Sequence, residues 1–212
     1  MTEPGKPVKP LRGVIFDLDG TLVDSQLDFA AIRRETGFPQ GIGLLEYMAS
    51  LTCEQARSSA MATIHRHEMA GAAMATWMPG ARELMLGLTN ANIPVGIVTR
   101  NSREAAEHTA AVLSMPTVDL LARDDAPPKP NPAGLLQLAQ GWNINAEELV
   151  YVGDFLYDLQ AAQQAGMRSA LYLSSKNRHY ADQADIQFEH FDELGLLLTN
   201  MLHIKQAEID ND

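Results

Sequence analysis

The sequence predicts an α/β fold: a Rossmann-like parallel sheet covered by helices on both faces, with a small all-helical cap inserted after the first strand. Three observations predict it. Short β-branched apolar runs recur along the chain, helical patterns lie between them, and residues 25–79 contain no strand-like run. Strands alternating with helices form βαβ units, whose crossovers cover a parallel sheet on both sides. A chain of 212 residues has room for one such core and a modest insertion.

The first strand is expected at Gly13-Val14-Ile15-Phe16-Asp17-Leu18, a short apolar run that closes at Asp19-Gly20. Similar runs stand at Pro94–Thr99, Val118–Leu121, Leu149–Gly153 and Ser169–Leu173, with a short last one at Ile186–Phe188. Between them, Ala81–Asn90 carries Leu84, Met85 and Leu88 at helical spacing. Ser102 is a candidate N-cap for a helix through Leu113. The helix from Asn131-Pro132 to Gly141 has proline in its first turn and glycine near its end. Asp158–Ala165 stops at Gly166. The insertion reads as helices over Asp28–Thr36, Leu44–Ser50 and Glu54 to about Thr76, punctuated at Gly37-Phe38-Pro39 and Gly41-Ile42-Gly43. The expected division is a core over 11–24 and 80–200, a cap over 25–79, and flexible termini at 1–10 and 201–212, the last acidic at its end.

Composition excludes several functions. Acidic side chains number 27 against 16 basic ones, a formal net charge of −11, which argues against a nucleic-acid or anionic-membrane surface built from clustered Lys and Arg. No window approaches the run of about 18 apolar residues needed for a membrane span. The first ten residues hold Lys6 and Lys9 but no apolar stretch like that of a secretory signal, so the expected location is cytoplasmic. Cys53, the one cysteine, excludes an intramolecular disulfide or a multi-cysteine metal site and reads as a small buried or half-buried residue.

The chemistry concentrates at strand ends. Asp17 and Asp19, in Asp17-Leu18-Asp19-Gly20-Thr21, stand two residues apart where the first strand ends. An Asp-Gly turn explains Asp19 but leaves Asp17, directly after the apolar run, without a packing reason. Asp154 ends another strand, and Asp158 follows about one helical turn later. Carboxylates gathered in one crevice need a cation or a proton to offset one another, and an all-oxygen set suits Mg²⁺. Thr99-Arg100-Asn101 places a hydroxyl and then donors at the end of a third strand. Lys129 is fixed between prolines in Pro127-Pro128-Lys129-Pro130, and no other lysine occurs from Pro10 to Pro128.

Asp17-Leu18-Asp19-Gly20-Thr21, Thr99, Lys129 and Gly153-Asp154-Phe155-Leu156-Tyr157-Asp158 occur in the order of the four motifs of the haloacid dehalogenase superfamily. The sequence resembles its subgroup with a small helical cap after the first motif, with similarity to phosphoglycolate phosphatases and β-phosphoglucomutase-like phosphatases. The resemblance spans about Val14 to Phe188. It implies Asp17 as nucleophile and Asp19 as general acid and base. It implies Mg²⁺ held by Asp17, the Asp19 carbonyl and Asp154, with Asp158 in support. Thr21, Thr99, Arg100, Asn101 and Lys129 become the residues expected to bind the phosphoryl group or substrate, Lys129 also offsetting the charge of Asp17. The implied partner is a small phosphate ester, and the implied assembly a monomer or homodimer.

Asp19 argues against dehalogenation, which needs no acid for the leaving group. The absence of lysine from residues 25–79 argues against a phosphonatase Schiff base. The favoured reading is a Mg²⁺-dependent phosphatase. A phosphotransferase of the β-phosphoglucomutase type shares every core residue, and a binding protein on this scaffold would predict a damaged set. Substrate choice falls to the cap, where Arg33, Arg34, Arg57, His65, Arg66 and His67 are the basic candidates. Arg33 and Arg34 point about 100° apart on a helix, so at most one faces the site. Met61, Met69, Met74 and Met78 read as cap core.

Overall fold

The computed structural model describes residues 9–202. In chain order, strand β1 (Gly13–Phe16) and strand β2 (Val23–Asp24) precede helices α1 (Phe29–Thr36), α2 (Leu44–Ser50) and α3 (Glu54–Ala73). Strand β3 (Thr76–Trp77), α4 (Ala81–Asn90), β4 (Val95–Val98), α5 (Arg103–Val112), β5 (Asp119–Leu121) and α6 (Ala133–Trp142) follow. The chain continues through β6 (Leu149–Gly153), α7 (Leu156–Ala165), β7 (Arg168–Tyr172), β8 (Ile186–Phe188) and α8 (Phe191–Met201).

Six strands form one parallel sheet in the order β5-β4-β1-β6-β7-β8. All four residues of β1 are buried, as a central strand with helices on both sides requires. Alternate residues serve opposite faces: Val14, Phe16, Val150 and Val152 pack in one apolar cluster, Ile15, Leu149 and Tyr151 in the other. The first cluster lies under α4, α5 and α8 through Met85, Ala106 and Leu194, the second under α6 and α7 through Leu135 and Ala162.

Helices α1–α3 pack around Ile32, Phe38, Leu44, Met48, Ala60 and Ile64. Asp28 caps α1 by accepting from the Ala31 amide, and Gly37 ends it at φ 72°. Helix α3 also packs on α5. The 25–79 segment is not free of strand, however. Val23 pairs with Trp77 and Asp24 with Thr76, so an antiparallel ribbon joins the two crossings between sheet and helices. Pairing across more than fifty residues leaves no local signal, and α3 stops at Ala73 instead of reaching Thr76.

Other expectations shift for local reasons. Helix α6 runs past Gly141 to Trp142 and ends at Asn143, whose φ of 54° serves as the left-handed stop. Cys53 is exposed, because it precedes α3 as its N-cap residue instead of packing beneath it. Met74 is 63% exposed where α3 ends, so it is not cap core. At their inner edges the expected termini meet the core. The Leu11 amide donates to the Met201 carbonyl, Leu11 bridges Leu202, and the Lys9 carbonyl accepts from Arg168. The remaining expected tails, residues 1–8 and 203–212, lie outside the described residues. Among the described residues, no helix is long and apolar enough to cross a membrane.

Candidate active site

The carboxyl ends of three adjacent strands build the site. Asp17 directly follows β1, Thr99 follows β4 and Asp154 follows β6. Each ladder extends just far enough to fix the residue that leaves it: the Asp17 amide donates to the Val152 carbonyl (2.8 Å) and the Thr99 amide to the Leu121 carbonyl (2.9 Å). The side chains enter a cleft of about 950 Å³ whose opposite wall comes from α1–α3. A crevice beyond the carboxyl ends of parallel strands is the usual place for a ligand in such a sheet.

Lys129 sits at the bottom of this cleft, 2% exposed. Its ammonium donates to Asp17 Oδ1, Asp158 Oδ1 (2.7 Å) and Tyr151 Oη (2.6 Å). Burial penalises the ammonium, yet Asp158 and Asp17 outweigh that penalty and hold its pKa above the ordinary lysine value. Burial pushes the Asp17 carboxyl well up, and Asp158 and Asp154 push the same way against Lys129. Asp154, half-buried beside Asp158, is pushed up to about 7 by desolvation and by that neighbouring carboxylate. Oxygens of Asp17, Asp154 and Asp158 lie within 4.8 Å of one another, so three carboxyls face one ammonium. Such a set is electrostatically incomplete and suits a hard divalent cation bound by oxygen.

The first-motif residues divide. The Asp19 side chain turns away from that trio and accepts from Asn101 Nδ2 (2.5 Å). Burial raises its pKa, while hydrogen bonds from Ser25 and Asn101 oppose the rise. Gly20 adopts φ +81°, and a Cβ there would lie 2.6 Å from Asp154 Oδ2, so only glycine lets the two motif loops approach. Thr21 does not reach the cleft: the turn after Gly20 points it inward, fully buried, with no hydrogen-bond partner for its hydroxyl among the described residues. Thr99 lines the cleft, its hydroxyl accepting from the Asn101 amide (3.1 Å).

Asp158 is a bracket as much as a ligand. Its second oxygen accepts from the amides of Asp154 (3.2 Å) and Phe155 (3.0 Å), which fixes the turn carrying Asp154. Gly153 lets it approach, since a Cβ there would meet the Asp158 Cβ at 2.3 Å. Two supports carried no sequence signal. Tyr151 reads as an ordinary strand residue, yet its hydroxyl accepts from Lys129 and donates to the Val98 carbonyl (3.0 Å). Asn177 is buried in the loop after β7, donating to the carbonyls of Asp154 (2.7 Å) and Tyr172 (2.8 Å).

Across the cleft, two acids from the insertion grip the core. Glu46 of α2 accepts from Arg100 Nη2 at 2.7 and 2.8 Å. Arg100 also donates to the Lys129 carbonyl and stacks over Tyr157 at 4.6 Å, so it braces the loop and is already paired. Glu68 of α3 is buried against Arg123 and accepts from the Ser102 amide (3.3 Å). Counting only basic residues as cap candidates missed both acids. Of those basic residues, Arg33 faces the cleft and Arg34 faces solvent, as their angular separation requires. Arg66 and His67 pair with Glu35, while His65 touches Ser102 and Glu104; Arg57 and His65 line a separate surface hollow.

Comparison with known proteins agrees with this geometry. The family model described as haloacid dehalogenase-like hydrolase matches residues 11–166. A haloacid dehalogenase-like hydrolase domain-containing protein of Arabidopsis thaliana is 31% identical over 83% of this chain and 76% of its own. A phosphoglycolate phosphatase of Cereibacter sphaeroides is 28% identical over 91% of this chain and all of its own length (100%). Among solved structures, a hydrolase from Pseudomonas syringae superposes with a TM-score of 0.75 at 21% identity, covering 90% of this chain and 99% of that one.

Proposed function

The chain belongs to the haloacid dehalogenase-like hydrolase family and is a phosphatase, and from that premise we propose that it hydrolyses a small phosphorylated metabolite with Mg²⁺ through an aspartyl-phosphate on Asp17. The observation that carries this reading is the set of buried Asp17, Lys129 and Asp158 with half-buried Asp154 at the ends of neighbouring strands. The 25–79 segment acts as the cap of a core spanning 11–24 and 80–200.

Asp17 is the nucleophile. Its backbone is pinned by Val152, and Lys129 holds one carboxylate oxygen, so the other is presented to phosphorus. Thr99 and the donors of residues 100–101 cradle the phosphoryl oxygens. Asp19 gives a proton to the departing alcohol oxygen, and burial, which raises its pKa above the ordinary carboxylate value, favours the protonated form. It then takes a proton from the water that attacks the phosphoaspartate, releasing inorganic phosphate and restoring Asp17. Asn101 aims the Asp19 carboxyl throughout.

Asp17, Asp154 and the main-chain carbonyl of Asp19 would hold Mg²⁺, with Asp158 fixing the Asp154 turn from behind. When bound, the ion supplies charge neutralisation that lets a phosphate dianion approach this acidic cleft. Lys129 contributes a fixed positive charge beside Asp17.

Release of phosphate from an aryl phosphate, measured with Mg²⁺ and with EDTA, tests the reading. Activity that requires Mg²⁺ and disappears in Asp17→Asn is expected. Equal rates with metal and chelator, or full activity in Asp17→Asn, would overturn it.

A further inference from the structure

On the basis of the phosphatase function above, we propose that the cleft selects phosphate esters of an uncharged alcohol, the size of a polyol or sugar, and discriminates against esters bearing a second anionic group. Glu46 is the residue that enforces this choice, by occupying Arg100.

Among the described residues, four cations line the cleft: Arg33, Arg100, Lys129 and Lys176. Lys129 belongs to the phosphoryl end, committed to Asp17 and Asp158. Arg33 is turned into its own cap, donating to the carbonyls of Pro39 and Ile42 (2.6 Å). Arg100 spends one nitrogen on both oxygens of Glu46 and another on the Lys129 carbonyl. Lys176 stands exposed on the loop after β7, where a solvated ammonium gains little from a partner. An arriving carboxylate therefore meets no buried, unpaired cation on the leaving-group side among the described residues.

It does meet competition. To reach Arg100 it must displace Glu46, a carboxylate of the same chain held at high effective concentration. The exchange trades one ion pair for another and strands Glu46 without a partner in a partly buried position. Glu68 lines the same wall and is itself taken up by Arg123. Leu27, Phe29, Ile32, Leu44 and Ile64 add apolar surface to the same wall. The exposed rings of Phe29 and Phe155 offer a surface for the apolar face of a sugar or polyol. The volume of about 950 Å³ exceeds what a two-carbon acid occupies.

The test uses the full chain with Mg²⁺ and pairs of esters that differ by a carboxylate. These are 2-hydroxyethyl phosphate against phosphoglycolate, glycerol 3-phosphate against 3-phosphoglycerate, and sorbitol 6-phosphate against 6-phosphogluconate. The neutral member of each pair is expected to have the higher kcat/KM by about tenfold or more, the range that unpaired polar contacts set. In Glu46→Gln, which leaves the guanidinium charge uncompensated, the acidic members gain and the ratio narrows by about tenfold. Parity within the pairs, or preference for the acids, would overturn the proposal, as would a ratio unmoved by Glu46→Gln. Failure to release phosphate from any ester would instead overturn the phosphatase reading beneath it.

Discussion

The two walls of the cleft hold their charges in different ways. On the sheet side, Asp17, Lys129 and Asp158 are all buried, aligned by strand ladders and closed in by Gly20 and Gly153. Behind them stand apolar clusters of twenty and twelve buried residues. On the cap side, Arg33 and Glu46 are only partly buried, and helices α1 and α2 have eight and seven residues. Six buried residues make up the cap's own cluster. A group held by several buried partners cannot move without stranding them, so the reacting wall tolerates little change. A pair at the cleft's edge such as Glu46–Arg100 can be replaced by substitution without emptying the sheet's core, so the recognising wall is the one free to diverge.

The sharpest break in that comparison comes from Asp17→Asn. We expect kcat for an aryl phosphate to fall by roughly 10⁴-fold or more, because no other group can form the phosphoenzyme. Thermal stability in EDTA should be kept or rise, since the change removes one of three crowded carboxyls and leaves Asp158 to hold Lys129. Loss of activity together with gross loss of Tm would mean that the charge cluster is structural.

Next in size is Ile64→Ala. Ile64 is 2% exposed in the cap cluster, and emptying that site costs about 2–4 kcal/mol. Spread over so small a cluster, this loss should open the cap locally. Hydrogen exchange over residues 29–73 is expected to accelerate while the amides of β1 and β6 keep their protection. Acceleration in both regions would show that cap and sheet unfold as one unit, and the contrast between the walls would collapse.

How much of this was legible in the sequence follows the same division. Asp17 and Asp154 announce themselves because a carboxylate directly after an apolar strand has no packing use. The six sheet strands, and α1, α2, α4 and α7, follow from periodicity, caps and glycine stops. What escaped depends on contacts between distant residues. The β2–β3 ribbon, Tyr151 beneath Lys129, Asn177 beneath Asp154 and the Glu46–Arg100 pair link positions 22 to 54 residues apart. No local pattern distinguishes Glu46 on a helix from a solvated acid. Arg100 read as a possible substrate ligand for the same reason: its partner sits on another element.

The metal site gives a smaller effect with a definite sign. An unfolded aspartate titrates near 3.8, whereas the folded Asp154 carboxyl titrates at about 7. Between those values the folded protein keeps a proton that the unfolded chain has lost. The contribution of Asp154 to the stability of the metal-free protein is therefore greatest at acid pH and declines as pH rises toward about 7. A Tm lower by a few degrees at pH 8 than at pH 5.5 is expected in EDTA, with Mg²⁺ restoring it mainly at pH 8. A metal-free Tm that rises over this range would contradict the crowded-carboxyl reading of the sheet wall.

The smallest change tests the cap wall from the opposite direction. Cys53 precedes α3 with extended dihedrals (φ −81°, ψ 115°), the geometry of an N-cap, but its side chain makes no capping bond. Serine there would accept from an amide of the first turn and stabilise α3 by about 0.5–1 kcal/mol. Because Cys53 is exposed, the replacement disturbs no packing. Slower exchange along residues 54–73 with unchanged exchange in β1 and β6 would show a cap whose stability is set locally. If the gain appeared equally in the sheet, the recognising wall would owe its order to the core that it covers, and its substitutions would be less free than the half-exposed pairs suggest.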